Sequence, residues 1–473
     1  MSLKIKTTNN SIKRNMRRVF WLMFALFVLL SGYFVKLVVF DAGAIVTNPY
    51  NRRLYVADNS LKRGSIFASG GEVLAESLKN ADGVYVRSYP EGELGAHAVG
   101  FATLGGLGVE RGMNFKLQSV NFEIFQRLIA TAGIGEAQCT SLKLTIDLEL
   151  QKAAAAALGG RKGAVVILEP GTGIVLAMVS TPGFDPNRIS ESWSELNASE
   201  DAPLLNRAIN GLYEPGSTFK IVMAIAAINA GIDDFEYTCT GKESFDGKTL
   251  HCYNGVSHGK MDLSGAFENS CNTYFAKLGE QIAPEEVAAL CDSLKLTALG
   301  DYQNLPLEYS VGSYALTEGA TASEVVETAI GQGKTLVSPL GMAMLAACIA
   351  NDGVMMEPVL IDSLESVVGG KIKQYMPRYI GSVLSEETCT TLQKMMRGVV
   401  VNGTGKKANI SGFELAGKTG TAETGSGEDH SWFVGFAPYS EPKYAFAVIL
   451  ENGGSGSATD AVRRIFESAH LTR

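Results

Sequence analysis

Glu214-Pro215-Gly216-Ser217-Thr218-Phe219-Lys220 runs straight into the apolar stretch Ile221-Val222-Met223-Ala224-Ile225-Ala226-Ala227-Ile228. Pro215 and Gly216 punctuate a turn, and the run behind them has the length and composition of a buried helix. Ser217 is therefore expected at a helix start, where backbone N–H groups lack intrahelical acceptors and face an oxygen that gains negative charge. Lys220 follows one turn deeper on the same face, where partial desolvation lets an ammonium lose its proton near neutral pH. A serine beside a basic amine is an activated nucleophile. Alone the pattern carries little weight, because a serine at a helix start is usually an N-cap.

Two further motifs change its weight. Ser270-Cys271-Asn272 lies between apolar helical stretches, and Lys418-Thr419-Gly420-Thr421 lies in an alternating, glycine-containing run that suits a strand approached closely by another backbone. An extended peptide pairs along such an edge, which Gly420 would keep clear. The ordered trio Ser-x-x-Lys, Ser-x-Asn and Lys-Thr-Gly is shared by penicillin-binding proteins and serine β-lactamases. On these residues the chain resembles a class B penicillin-binding protein, a membrane-anchored peptidoglycan D,D-transpeptidase, over nearly its whole length.

The resemblance implies a role for each motif residue. Ser217 would attack the carbonyl of D-alanyl-D-alanine with Lys220 as its base, and Ser270 would relay a proton to the departing D-alanine. Asn272 would hold the donor amide and position Lys220, while Lys418, Thr419 and Thr421 would receive the terminal carboxylate. The oxyanion hole would be the backbone N–H groups of Ser217 and Thr421. A charged Lys418 would also help keep Lys220 neutral. The implied chemistry uses no metal or cofactor, β-lactams would acylate Ser217, and the implied partner is a polytopic glycan-strand polymerase.

The 473 residues suit two or three domains, and 46% hydrophobic with 19% charged residues marks a globular chain. A net charge of −8 argues against a nucleic-acid partner. Residues 1–18 carry basic and no acidic side chains, and 19–40 are apolar apart from Ser31, Gly32 and Lys36, long enough to span a bilayer. The positive-inside rule puts the N-terminus in the cytoplasm and the rest outside. A cleaved leader ending at Ala42-Gly43-Ala44 is the rival, but the apolar run exceeds the usual signal core.

Residues 41–140, turn-rich with short alternating runs such as Leu54-Tyr55-Val56 and Gly83-Val84-Tyr85-Val86, resemble the family's β-rich pedestal. The matching pieces include Arg63-Gly64-Ser65-Ile66, Ala96-His97 and Gly108-Val109-Glu110, with His97 read as structural. Ala68-Ser69-Gly70-Gly71 departs from the family, which carries Asp-Arg there. Such a pedestal is too short for a glycosyltransferase domain, so the expected enzyme cross-links glycan and does not polymerise it.

Residues 141–473 are expected to form the transpeptidase domain. Its apolar runs 163–169 and 174–180, joined by a Pro170-Gly171-Thr172-Gly173 turn, and 432–436 with 444–450 read as strand pairs, with a closing helix at 460–468. Strands first, helices between and strands last predict an α+β fold, one antiparallel sheet with helices on both faces. Ile330-Gly331-Gln332-Gly333 with Ser338-Pro339-Leu340, and Gly435-Phe436-Ala437-Pro438, read as structural flanks.

The seven cysteines show no Cys-x-x-Cys pair, which argues against a zinc site. Cys239 and Cys252 bracket a short polar stretch, and both a disulfide and two buried thiols stay open for them. The same trio would also serve a D,D-carboxypeptidase, and a non-catalytic scaffold or a β-lactam sensor are further alternatives. The Glu-x-x-Leu-Asn loop of class A β-lactamases is not found between Asn272 and Lys418, so fast β-lactam hydrolysis is not expected.

Overall fold

The computed structural model describes residues 3–36, 62–118, 139–298, 300–316, 319–366, 370–425 and 427–468. The run 54–56, the end of the apolar run beyond residue 36 and the segment 42–44 lie outside the described residues. Two compact units are present, residues 1–57 and 58–473. The described residues of the first form a helix, Leu3–Lys36, whose part Ile12–Lys36 is long and apolar enough to cross a membrane.

In the second unit the apolar runs pair into a five-stranded antiparallel sheet. Its order is Ala416–Ala422, His430–Ala437, Tyr444–Leu450, Gly163–Leu168, Val175–Thr181. Every residue of Gly163–Leu168 is buried, as a strand covered on both faces requires. Helices Leu148–Leu158 and Ser457–Ser468 cover one face, where Leu150, Ala154, Val462 and Phe466 meet Val165 and Phe446. Burying Phe466 alone contributes about 2 kcal/mol. Helices Lys220–Asn229, Pro339–Ala350 and Glu386–Val401 share a second core with Val166 and Ala447 on the other face.

Local signals set the helix ends. Asp147 caps Leu148–Leu158 by accepting from the Leu150 N–H, and Gly159 ends it with φ +61. Ser338 caps Pro339–Ala350, with Pro339 at the first helical position. The closing helix begins at Ser457, three residues before its expected start, because Ser431 Oγ accepts from the Ala458 N–H and anchors the first turn.

A six-stranded sheet holds the pedestal strands Ile66–Phe67, Val73–Lys79 and Tyr85–Ser88. Ile66–Phe67 pairs parallel with Ser141–Leu144, which pairs antiparallel with Ile361–Glu365, a strand more than two hundred residues away in sequence. Beneath the sheet Glu110 is fully buried between two guanidinium groups, 2.7 Å from Arg63 Nε and 2.6 Å from Arg87 Nε. Burial alone would raise the Glu110 carboxyl, but Arg87 and Arg63 overcome it and hold it below its usual range. His97 is buried with Nε2 2.8 Å from the Pro203 carbonyl, and burial pulls its imidazole down to about 4. It is a structural histidine.

Candidate active site

Pro215 and Gly216 lead into a 3-10 turn, Gly216–Phe219, and the α-helix starts only at Lys220. Ser217 thus sits in a tighter first turn than an ordinary N-cap. Gly216 holds φ +52, and a Cβ there would run into the Thr421 carbonyl. Its N–H donates to the Gly331 carbonyl at 2.8 Å. Gly331, at φ +76, faces Gly216 so closely that it too leaves no room for a side chain, a structural role for that glycine, while Ile330 and Gln332 line the cleft beside Ser217. Trp432 Nε1–H donates to the Glu214 carbonyl at 3.0 Å, fastening the same turn to the sheet.

The second motif lies between helices Leu263–Glu268 and Asn272–Gly279. Ser270 holds φ +55, a left-handed conformation that a residue with a Cβ seldom adopts. Its carbonyl and its hydroxyl both turn toward Lys220: Nζ lies 2.8 Å from Ser270 O, 3.2 Å from Ser270 Oγ, 2.7 Å from Asn272 Oδ1 and 3.0 Å from Ser217 Oγ. Asn272 Nδ2–H donates onward to the His251 carbonyl at 3.0 Å.

The third motif occupies Ala416–Ala422, at the edge of the five-stranded sheet. Strand alternation turns Lys418 and Gly420 inward and leaves Thr419 and Thr421 partly exposed on the cleft. Lys418 is fully buried, with Nζ donating to Ser270 Oγ at 2.9 Å and to the Thr419 carbonyl at 3.1 Å. Gly420 also has a packing role that its own strand does not reveal. A Cβ there would meet Thr218 Cγ2, Trp432 Cβ and the Pro215 carbonyl, so it lets the strand press against the nucleophile turn.

The electrostatics follow from burial. Desolvation brings the Lys220 amine from 10.5 down to about 7, against the opposing pull of the Cys271 and Cys252 thiols. Desolvation, and then the charge of Lys220, holds Lys418 well below its ordinary value. Burial thus disfavours charge on both neighbouring amines, including the charge expected on Lys418.

A neutral Lys220 amine offers two N–H donors and one lone pair. Ser270 O and Asn272 Oδ1 are pure acceptors and engage both donors, which leaves the lone pair for the Ser217 O–H. That arrangement can take a proton from Ser217.

All eight residues expected at the site converge here. Sequence reading missed Thr404, whose Oγ1 lies 2.6 Å from Thr419 Oγ1, and the His251 carbonyl behind Asn272. Only the tight Gly403-Thr404-Gly405 spacing hinted at the first. It also missed a cluster beside the second motif. Cys239, Cys252, His258 and Cys271 bring their donor atoms within 4.8 Å of one another. Cys239 and Cys252 form no disulfide, because their sulfurs stand 3.6 Å apart and share their surroundings with Cys271 and His258. The four side chains meet without a Cys-x-x-Cys pair because Cys239 ends a strand, His258 precedes the strand paired with it, and Cys252 and Cys271 stand at two helix starts.

The family model for the penicillin binding protein transpeptidase domain matches residues 163–468, and that for the penicillin binding protein A dimerisation domain matches residues 63–139. The peptidoglycan D,D-transpeptidase PbpA of Mycolicibacterium smegmatis is 33% identical over 468 residues, 93% of this chain and 94% of its own length. The crystal structure of PBPA from Mycobacterium tuberculosis is similar with a TM-score of 0.80 at 31% identity, covering 87% of this chain and 100% of that one. The penicillin G acyl-enzyme complex of the same protein has a TM-score of 0.79 at 31% identity, with 87% and 100% covered. The chain belongs to the penicillin-binding proteins, in their class B.

Proposed function

We propose that Ser217 is the nucleophile of a peptidoglycan D,D-transpeptidase and the residue that β-lactams acylate. The observation that carries this is the buried Lys220 amine, brought to about 7 and 3.0 Å from Ser217 Oγ with both its N–H groups otherwise engaged. Lys220 takes the Ser217 proton as Oγ bonds to the carbonyl carbon of the penultimate D-alanine. The oxyanion lies against the backbone N–H groups of Ser217 and Thr421. Ser270, in contact with both lysines, passes a proton to the departing D-alanine nitrogen as the peptide bond breaks. An amine of a neighbouring stem peptide then attacks the ester, and the proton returns along the same path to Ser217 Oγ.

Asn272 holds Lys220 and the donor amide, and the Thr419 and Thr421 hydroxyls with Lys418 receive the terminal carboxylate. The donor peptide extends along the free edge of Ala416–Ala422. Incubating the protein with benzylpenicillin tests this reading: a single stable adduct on the peptide containing Ser217, lost in Ser217→Ala, is expected. Labelling unchanged in Ser217→Ala would remove it.

The reading divides the chain into a cytoplasmic tail at 1–18, a membrane anchor at 19–40, a pedestal at 41–140 and a catalytic domain at 141–473. The basic tail supports a cytoplasmic N-terminus and a catalytic domain outside the membrane. The partner is a polytopic glycan polymerase that engages the anchor and pedestal. Protease added to intact spheroplasts is expected to degrade the catalytic domain and spare an N-terminal tag.

A further inference from the structure

We infer that the cavity between segment 92–99, helix Leu148–Leu158 and strand Val175–Thr181 binds a small organic ammonium ion. It measures about 290 Å³ and shares no lining residue with the cleft that holds Ser217. Small-molecule sites run from about 300 Å³ upward, so this one suits a free ligand of few atoms and not a peptide. Leu94, Ala155, Met178 and Val179 give it an apolar wall.

Its four polar side chains, Glu93, His97, Ser180 and Thr181, all present acceptors. The Ser180 hydroxyl donates its proton to the Leu205 carbonyl at 3.0 Å, and the Thr181 hydroxyl donates to the Arg161 carbonyl at 2.5 Å. His97 is 4% exposed, and its Nε2 lies 2.8 Å from the Pro203 carbonyl, which only accepts. The proton therefore sits on Nε2 and Nδ1 keeps a lone pair, in a ring that burial holds neutral. One nitrogen of His97 thus serves the fold. The other has no hydrogen-bond partner among the described residues, and it is not among the side-chain atoms sealed in without one, so it opens onto the cavity. Glu93, one helical turn before His97, makes no ion pair among the described residues. An anion would meet lone pairs and the Glu93 charge, and an apolar ligand would leave Nδ1 unpaired. A cation that donates hydrogen bonds satisfies all of them.

The position gives an occupant a route to the nucleophile. Segment 203–207 is attached to the cavity wall: the Pro203 carbonyl accepts from His97, the Arg207 N–H donates to Ser180 Oγ at 2.9 Å, and Asn206 Nδ2 donates to the His97 carbonyl at 3.2 Å. Arg207 Nε lies 2.7 Å from Glu451 Oε1, which also accepts from the Tyr213 hydroxyl at 2.7 Å. Tyr213 directly precedes Glu214 at the nucleophile turn. An ammonium donating to Nδ1 polarises the ring and strengthens its bond to Pro203, which firms this connection and speeds acylation. The site stands independently of the catalytic assignment; its effect on acylation rests on that assignment.

The probe is n-butylammonium chloride, with sodium butyrate as its anionic counterpart, added to the full chain in detergent at about pH 7. Saturation-transfer NMR is expected to show millimolar binding of the ammonium, as its few non-hydrogen atoms allow, and none of butyrate. In protein labelled with nitrogen-15 in its histidine rings, the His97 Nδ1 resonance should shift over the same concentrations. Gly183→Val adds a side chain where a Cβ meets Glu93 at ordinary contact distances of 3.6–3.9 Å, and should abolish both signals while the protein melts normally. Glu93→Gln should weaken binding by about threefold. An amine also attacks an acyl-enzyme, so the effect on the cleft is read as the rate constant of benzylpenicillin acylation. Saturating ammonium should raise it by about fivefold or more, and Gly183→Val should keep the basal rate without responding. No ammonium binding, equal binding of butyrate, or binding that persists in folded Gly183→Val overturns the site. Binding with an unchanged acylation rate overturns the route to the nucleophile alone. Ser217→Ala that still shifts the His97 resonance yet labels as the unmodified chain does would overturn the catalytic assignment and leave the site standing.

Discussion

Asn272→Asp puts a carboxylate where an amide oxygen now lies 2.7 Å from Lys220 Nζ. In the unmodified chain burial brings that amine from 10.5 to about 7. At about pH 7.5 roughly three quarters of the molecules then hold the neutral base, against roughly 0.1% for an ordinary lysine. A carboxylate in contact favours the ammonium by about 1–3 pH units. Taking about 2, the neutral fraction at that pH falls to roughly 3%, and acylation slows by about 25-fold. The assay is the second-order rate constant for benzylpenicillin acylation, followed by stopped flow across the pH range. For the unmodified chain it should climb about tenfold per pH unit below about 7 and level off above. For Asn272→Asp the bend should move up by about 2 units, with the rate recovering in alkali. A flat profile in the unmodified chain, or a loss in Asn272→Asp that no alkalinity restores, would refute the assignment of Lys220 as the base. The same burial opposes folding: a lowered lysine binds fewer protons folded than unfolded, so stability should rise as pH climbs from about 7 toward 10.5.

Gly216→Ala must fit a Cβ against the Thr421 carbonyl at φ +52, so penicillin labelling should fall by more than tenfold; near-normal labelling would show that the turn can shift. Gly420→Ala drives a methyl into Thr218, Trp432 and the Pro215 carbonyl and should destabilise by about 1–3 kcal/mol in denaturant melts, with slower acylation of the folded fraction. An unchanged midpoint would count against the packing described. Glu110→Gln leaves the Arg63 and Arg87 guanidinium groups without their buried counter-charge and should cost about 3–5 kcal/mol, while the folded fraction still acylates at Ser217. The Glu110 contribution is present above the ordinary carboxylate range and disappears as pH falls through its depressed value, so Glu110→Gln should flatten the acid limb of the stability curve.

The sequence by itself determined the strands, the helices and the chemistry of the three motifs. Runs such as Tyr444–Leu450 and Gly163–Leu168 are apolar throughout because they are covered on both faces, and that pattern is readable without knowing what covers them. Lys220 three residues after Ser217 is a local relation that a helical turn converts directly into contact. Tertiary structure alone decided the rest, because those contacts join segments with no periodic relation. Ile361–Glu365 completes the pedestal sheet from far along the chain, and Arg87 finds Glu110 only when a strand and a short helix pack. Gly420 serves close packing against Pro215 and Thr218, which no pattern within its own strand reveals. Cys239, Cys252, His258 and Cys271 share no local spacing rule, and they meet because a strand end, the segment before its paired strand and two helix starts turn toward one point. A spacing rule reads groups that share one loop; here separate segments are brought together by the core beneath them.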